Sequence, residues 1–360
     1  MEQFICKTQI VLGAGAVNFL KQWNIKKLFL VCDPYFYKNG MAQQVVCETE
    51  CSEYQIFSDI SPDPSVELAA RGAAAVKAFA PDVIIALGGG SAMDAAKAMR
   101  YFSGEGAKLV MIPTTSGSGS EVTNFTILSH GGIKHPLVDE KILPDLAIVD
   151  SAFVEALPPS LIADGGFDLI SHAMEAYVAT NRSIFSDLFA QQAFRDAING
   201  LYASYSGQLD SRGQIHTAAT MAGIAFSQAG LGICHATSHC LGGEFHIPHG
   251  RLNAILLPAV VEANAAFCGT RYAQLARAAG LSGGSDVMAI RALKNALHRL
   301  RKNLGLPESL SQAGISPATV QAKMDMLVSA SLADPCCETN PVKPTAHMVR
   351  QIITEVMGRG

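Results

Sequence analysis

The strongest constraint on this chain is a change of period at Asp150. Before it, short apolar runs alternate with helical patterns; after it, the strand signals stop. Residues 28–32 (LFLVC), 83–87 (VIIAL), 109–112 (LVMI) and 146–149 (LAIV) are uninterrupted apolar runs, which predict strands buried on both faces. Between the first two lies Val66–Phe79, an alanine-rich helical pattern that starts just after Asp63-Pro64. Strand, helix, strand is the pattern of a parallel sheet with crossovers. Beyond Pro158-Pro159, apolar residues recur at helical spacing: Phe167, Ile170, Ala173, Met174 and Tyr177, then Leu188, Ala193, Ile198 and Leu201. The prediction is an α/β nucleotide-binding domain over residues 1–156 and an all-α domain over residues 157–360. A ligand site is expected in the cleft between two such domains. Residues 206–213 and 280–285 read as surface loops.

Composition narrows the function classes. With 360 residues, 49% hydrophobic and only 16% charged, the chain cannot be disordered. A net charge of −4 without a basic run excludes a nucleic-acid partner. The nine cysteines are scattered, odd in number and form no CxxC, so free thiols in a reducing cytoplasm are expected. Cys336 and Cys337 are adjacent, and a disulfide between them would be strained. The first residues, MEQFICK, show neither the basic start nor the apolar stretch of a signal peptide. Residues 213–243 contain no Asp, Glu, Lys or Arg, yet hold three histidines, Gln214 and Gln228. That is too polar for a membrane span and predicts a buried segment of a protein with no membrane partner.

Gly88-Gly89-Gly90-Ser91 follows a strand directly and precedes a helix predicted over residues 92–100. Glycines admit close approach of a ligand to the backbone, and a helix N-terminus offers free N–H groups to a phosphate. Ser91 and Asp94 have the spacing of a capping box. Gly13-Ala14-Gly15 resembles part of a dinucleotide fingerprint but lacks the third glycine, and is rejected as one. Asp33 ends a strand, where a carboxylate can accept hydrogen bonds from an adenosine ribose; a turn residue before Pro34 is the competing reading. The loop PTTSGSGSE, residues 113–121, follows another strand and offers hydroxyls and N–H groups to a pyrophosphate.

Asp168 and His172 are four apart on a predicted helix, and His235 and His239 repeat that spacing in the charge-free stretch. His249 follows in FHIPHG, where Pro248 and Gly250 predict a turn. Any one of these histidines alone reads best as structural. Five polar side chains in an apolar helical setting are costly to bury unpaired, and one carboxylate with three imidazoles suits a divalent cation. Cys234 and Cys240 lie at poor angles for sharing that face. His130, His135, His216, His298 and His347 have no partner spacing, and His246 is only adjacent.

GGGSAMDAAKA, IPTTSGSGSEVT, FDLISHAMEAY and HATSHCLGGEFHIPHGRLNAILLP together resemble the iron-dependent (group III) alcohol dehydrogenases. The resemblance spans nearly the whole chain. Through GIKHPL and RYAQLARAAG it is greatest toward the propanol dehydrogenases associated with bacterial microcompartments. It implies a dehydroquinate-synthase-like fold, with Asp168, His172, His235 and His249 as metal ligands and His239 as a proton-relay group beside the nicotinamide. It places Gly89, Gly90, Ser91, Thr114, Ser118 and Lys134 along the cofactor, with Asp33 favouring NAD over NADP. Phe125, Phe226, Leu231 and Cys336 would line the substrate pocket. The implied metal is Fe²⁺, with Zn²⁺ a competitor in the isolated protein because it binds such ligands more tightly. A homodimer is expected, in the cytoplasm or inside a microcompartment with shell or enzyme partners. Two departures stand out: Asp164 occupies a position that is usually threonine, where it is expected to disturb or cap the local helix start, and Ser118 replaces a common threonine.

The function these features predict is NAD(H)-linked interconversion of a small aldehyde, such as propanal, and its primary alcohol. A dehydroquinate-synthase-like lyase or polyol dehydrogenase would need cations near the metal, and Arg251 is the single one nearby in sequence. A shell-associated protein without catalysis would not retain both motif sets.

Overall fold

The computed structural model describes residues 4–104, 106–131, 133–281 and 283–358, apart from the side chains of Ile133 and Lys134. The chain divides into two units, Ile5–Leu157 and the remainder.

In the first unit the elements run β1 (Gln9–Leu12), a 3₁₀ segment (Ala16–Trp23), β2 (Lys27–Cys32), α1 (Pro34–Lys38), α2 (Met41–Thr49), β3 (Glu53–Phe57) and α3 (Val66–Phe79). They continue with β4 (Val83–Gly88), α4 (Gly90–Ser103), β5 (Lys108–Pro113), β6 (Phe125–His130), β7 (Ile133–Val138) and β8 (Leu146–Val149). Six strands form one parallel sheet in the order β1-β8-β5-β4-β2-β3, and β6 and β7 pair as an antiparallel hairpin. The apolar runs explain the sheet. Leu28, Leu30, Ile85, Leu87, Val110 and Ile112 enter one core layer, while Phe29, Val31, Ile84, Ala86, Leu109 and Met111 enter the other. Alternate side chains are thus buried on opposite faces, which a sheet covered on both sides requires. From β2 the chain moves outward to β3, then returns to the opposite side of β2 for β4. The carboxyl ends of β2 and β4 therefore flank the topological switch point, the usual ligand crevice of an open parallel sheet.

The four strands expected from apolar runs are present within a residue of their predicted ends. Two expectations need correction. Ser91 and Asp94 form no capping box: Gly89 is the N-cap of α4 and has no side-chain cap. Asp94 instead accepts Ser120 Oγ (2.9 Å) and Ile127 N (3.1 Å). The stretch 206–213 is mostly helical, because only residues 206–208 separate two helices. Strands β1, β3, β6 and β7 were not anticipated.

The second unit contains α5 (Pro159–Val178), α6 (Ile184–Tyr205), α7 (Leu209–Ala229), α8 (Ile233–Phe245), α9 (His249–Ala278), α10 (Asp286–Asn303), α11 (Pro317–Ala333), a 3₁₀ turn (Pro335–Thr339) and α12 (Ala346–Met357). No strand occurs among its described residues. The charge-free stretch is not one straight segment, since α7 and α8 meet at 105°. By length and composition α9 is apolar enough to cross a membrane, but 67% of its most apolar window is buried in the fold. It also opens on His249 and Arg251.

Candidate functional site

Three helices each bring polar side chains to one point in the second unit. Helix α5 carries Asp168, His172 and Glu175, at intervals of four and three residues and hence on one face. Helix α8 carries His235 and His239, and α9 begins at His249 with Asn253 four residues on. Helix α5 packs on α9, and α8 packs on both. One contact is tighter than side chains allow: a Cβ on Gly250 would stand 1.9 Å from the Asp164 carbonyl oxygen. Glycine after His249 therefore lets α9 start against the backbone of α5.

Asp168 Oδ1 lies 3.4 Å from His249 Nε2, 3.7 Å from His235 Nε2 and 3.9 Å from His172 Nε2. Ligand atoms of Asp168, His235 and His249 all fall within 4.8 Å of one another. Four ligands at about 2.1 Å from a tetrahedral cation stand roughly 3.4 Å apart. Asp168, His235 and His249 make a donor set that fits a divalent cation, whereas His172, 3.9 Å from Asp168 Oδ1, falls outside that mutual group. Asn253 Nδ2 donates to Asp168 Oδ1 (2.9 Å) and faces His249 Nε2 at 3.2 Å. Burial would raise the Asp168 carboxyl, but the imidazoles of His172, His249 and His235 outweigh it and hold it well below the carboxylate range. Burial keeps His249 neutral against the pull of Asp168. An ionised carboxylate and a neutral imidazole are the forms a cation binds.

Two carboxylates outside this set grip the histidines of α8. Glu175 Oε2 faces His235 Nδ1 at 2.6 Å and accepts Gly232 N at 3.0 Å, while Oε1 accepts Cys234 N at 2.7 Å. One buried side chain thus orients an imidazole and satisfies two N–H groups at the start of α8, while Asn340 Oδ1 accepts Ile233 N at 3.2 Å. A Cβ on Gly232 would stand 2.7 Å from Glu175 Oε1, so this approach also needs glycine. Despite burial, His235 is raised to about 9 by its bonds to Asp168 and Glu175. Asp334 Oδ2 faces His239 Nδ1 at 2.9 Å. Burial would raise Asp334, but His239 and the Cys336 amide bring it down to about 2.

His239 itself is outside the Asp168 group; its ring stacks on that of His249 at 5.1 Å. Phe226 stacks on His172 at 4.3 Å. The Leu231 carbonyl accepts Thr339 Oγ1 at 2.7 Å, and Cys336 groups with His239 and Asp334. Both neighbouring thiols turn elsewhere, Cys234 toward Asn253 and Cys240 toward the Leu327 carbonyl. Asp164 neither caps nor disturbs α5, whose N-cap is Pro158; it pairs with Arg251 Nη2 and Nε at 2.9 and 3.2 Å.

In the first unit the predicted nucleotide residues gather at strand ends. Asp33 follows β2, Gly89 and Gly90 follow β4, and Thr114 follows β5, with Cys32 beside Leu87 and Gly88 beside Pro113 in register. Thr114 N donates to the Gly88 carbonyl at 3.0 Å, and Ser118 Oγ accepts Ser120 N at 3.4 Å. Ser91 lies in the first turn of α4. Asp33 Oδ1 caps α1 through Tyr35 N and Phe36 N, so the turn reading holds for that oxygen. The loop is pinned from below. Fully buried Lys97 donates to Ser120 Oγ (2.8 Å), Thr123 Oγ1 (3.0 Å) and the carbonyl of Phe125 (2.8 Å). Burial lowers its ammonium to about 8. Phe125 lies on β6, and the side chain of Lys134 lies outside the described residues.

Sequence reasoning missed Glu175, Asn253, Asp334 and Lys97. Helical spacing could have found the first two, which stand three residues after His172 and four after His249. Asp334 lies 95 residues beyond His239 and has no local signal.

Comparison with known proteins shows the family. Residues 7–151 match the family described as iron-containing alcohol dehydrogenase, and residues 162–357 match the C-terminal part of the Fe-containing alcohol dehydrogenase family. The chain is 38% identical to the 1-propanol dehydrogenase PduQ of Citrobacter freundii, over 99% of this chain and 100% of that protein. It is also 38% identical to the NADPH-dependent butanol dehydrogenase of Clostridium saccharobutylicum, over 95% and 94% of the two. The solved iron-containing alcohol dehydrogenase of Thermococcus thioreducens superposes with a TM-score of 0.91 at 30% identity, covering 98% of this chain and 99% of that one.

Proposed function

We infer from one premise, that this chain belongs to the iron-containing alcohol dehydrogenase family, that it interconverts propanal or a similarly short aldehyde and its primary alcohol, using Fe²⁺ and NAD(H). The observation that carries this reading is the meeting of one carboxylate and three imidazoles from three helices around Asp168 Oδ1. In this proposal Asp168, His172, His235 and His249 hold the cation. When bound, the cation supplies Lewis acidity at a carbonyl oxygen and the nicotinamide supplies a hydride.

The chain's own groups do the rest. Glu175 keeps Nδ1 of His235 occupied, which leaves Nε2 for the cation. His239 exchanges the alcohol's proton with solvent. Gly89, Gly90, Ser91, Thr114, Ser118 and Lys134 line the dinucleotide, and the carboxylate of Asp33 opposes a 2′-phosphate. Phe226, with Leu231 and Cys336, offers a wall suited to a short chain rather than an acid. The similarity to PduQ supports propanal, and the reducing compartment implied by nine free thiols supports a cytoplasmic or microcompartment setting.

The test is anaerobic oxidation of NADH and NADPH with a panel of aldehydes, on chelator-treated protein before and after adding Fe²⁺. Propanal-dependent oxidation, faster with NADH and present only with the metal restored, is expected. Binding of NADH without turnover of any aldehyde would overturn the proposal.

A further inference from the structure

Helix α8 carries two histidines four residues apart, and each presents Nδ1 to a carboxylate. The two pairs differ in their access to water. In the His235–Glu175 pair the side chains are 1% and 3% exposed; in the His239–Asp334 pair they are 16% and 17% exposed. The first pair is sealed and belongs with the metal ligands. The second reaches solvent, and its imidazole lies outside the ligand group.

The Asp334 carboxylate is divided between two tasks. Oδ1 accepts Cys336 N at 2.8 Å and so caps the 3₁₀ turn Pro335–Thr339. Oδ2 is thereby aimed at His239. Pro335 holds Asp334 in extended backbone, and the Asp334 N–H donates to the Ser331 carbonyl at the end of α11. An ionised carboxylate can only accept, so the tautomer that pairs with it carries its hydrogen on Nδ1 and leaves a lone pair on Nε2.

We propose that Asp334 is a positioning residue for proton transfer: it fixes the tautomer and ring orientation of His239 so that Nε2 receives the proton of the alcohol and returns it to the aldehyde-derived alkoxide in reduction. The step is a proton transfer alone, with solvent as the other partner and no change of oxidation state. It rests on the reading of His239 as the relay group.

The experiment is a double-substitution cycle on the iron-loaded protein with Asp334→Asn, Asp334→Glu, His239→Ala and the pair Asp334→Asn/His239→Ala. Asparagine keeps the size but can donate to Nδ1, which favours the wrong tautomer. Turnover of Asp334→Asn should fall about 10–100-fold, the usual loss for an outer partner of a working histidine. KM, iron content and NADH binding should stay within twofold, and the solvent deuterium isotope effect should rise. Asp334→Glu should recover part of the rate. In the His239→Ala background the same Asp334→Asn change should have no further effect. Wild-type turnover in Asp334→Asn beside a slow His239→Ala would overturn the proposal, as would an equal loss in both backgrounds. Wild-type turnover in His239→Ala would instead remove the relay reading on which it rests.

Discussion

Glu175 is the residue whose importance grows most between sequence and structure. It is 3% exposed and accepts from Gly232 N, Cys234 N and the imidazole of His235. Glutamine has the same size but only one acceptor oxygen, so its amide would meet a donor where Oε1 or Oε2 now accepts. Glu175→Gln should weaken iron binding about 10–100-fold, the loss seen when an outer partner of a ligating histidine is removed. Competition with a chromophoric chelator measures this directly, and an unchanged affinity would show that His235 needs no such partner. At this scale, residues with repeated spacing were legible: Asp168 with His172, and His235 with His239. Glu175 fits the same helical face but lies beyond the i, i+4 pair, and Asp334 is brought in by tertiary folding alone. Asp33 was read two ways, and its Oδ1 is committed to capping α1. Asp94 shows the limit of local rules, since its carboxylate serves the 120–127 loop instead of its own helix start.

Elements in the middle of the sheet were legible because burial on both faces leaves apolar runs in β2, β4, β5 and β8, with lysine only at the first position of β2 and of β5. The edge strands gave a weaker signal. β3 reads Glu-Tyr-Gln-Ile-Phe with three exposed positions, and β1 is four residues with exposed ends. β7 contains Lys134, His135 and Pro136, which argue against a strand except in a peripheral hairpin. The stretch 206–213 looked like a loop because Ser, Gly and Asp cluster there. Arg212 overrides that signal by reaching back to the Ser204 carbonyl at 2.8 Å, which anchors the first turn of α7 to the end of α6. The α5–α9 crossing is set by Gly250. Gly250→Ala would push a methyl group into the Asp164 carbonyl and shift the first turn of α9, where His249 stands. Overpacking of this kind costs about 1–3 kcal/mol. The variant should melt at lower temperature and retain less iron, as calorimetry and elemental analysis would report. Wild-type values for both would mean that the helix start is free to move.

Across the molecule, the two units divide the chemistry. The parallel sheet places Asp33 and the Gly88–Gly90 turn at its switch point, and the helical unit brings His235 and His249 to Asp168. Fold class and family were legible because both motif sets lie on elements whose periods are clear, and the match to the iron-containing alcohol dehydrogenases spans both. The proposed chemistry depends on a single cation shared by Asp168, His172, His235 and His249. The most direct measurement is the iron content of the anaerobically reconstituted chain and of His249→Ala, with NADH binding followed in the same samples. One ion per chain is expected for the parent, and little or none for His249→Ala, with loss of turnover and unchanged NADH affinity. A His249→Ala protein that keeps a full equivalent of iron and reduces aldehyde at the parent rate would contradict it.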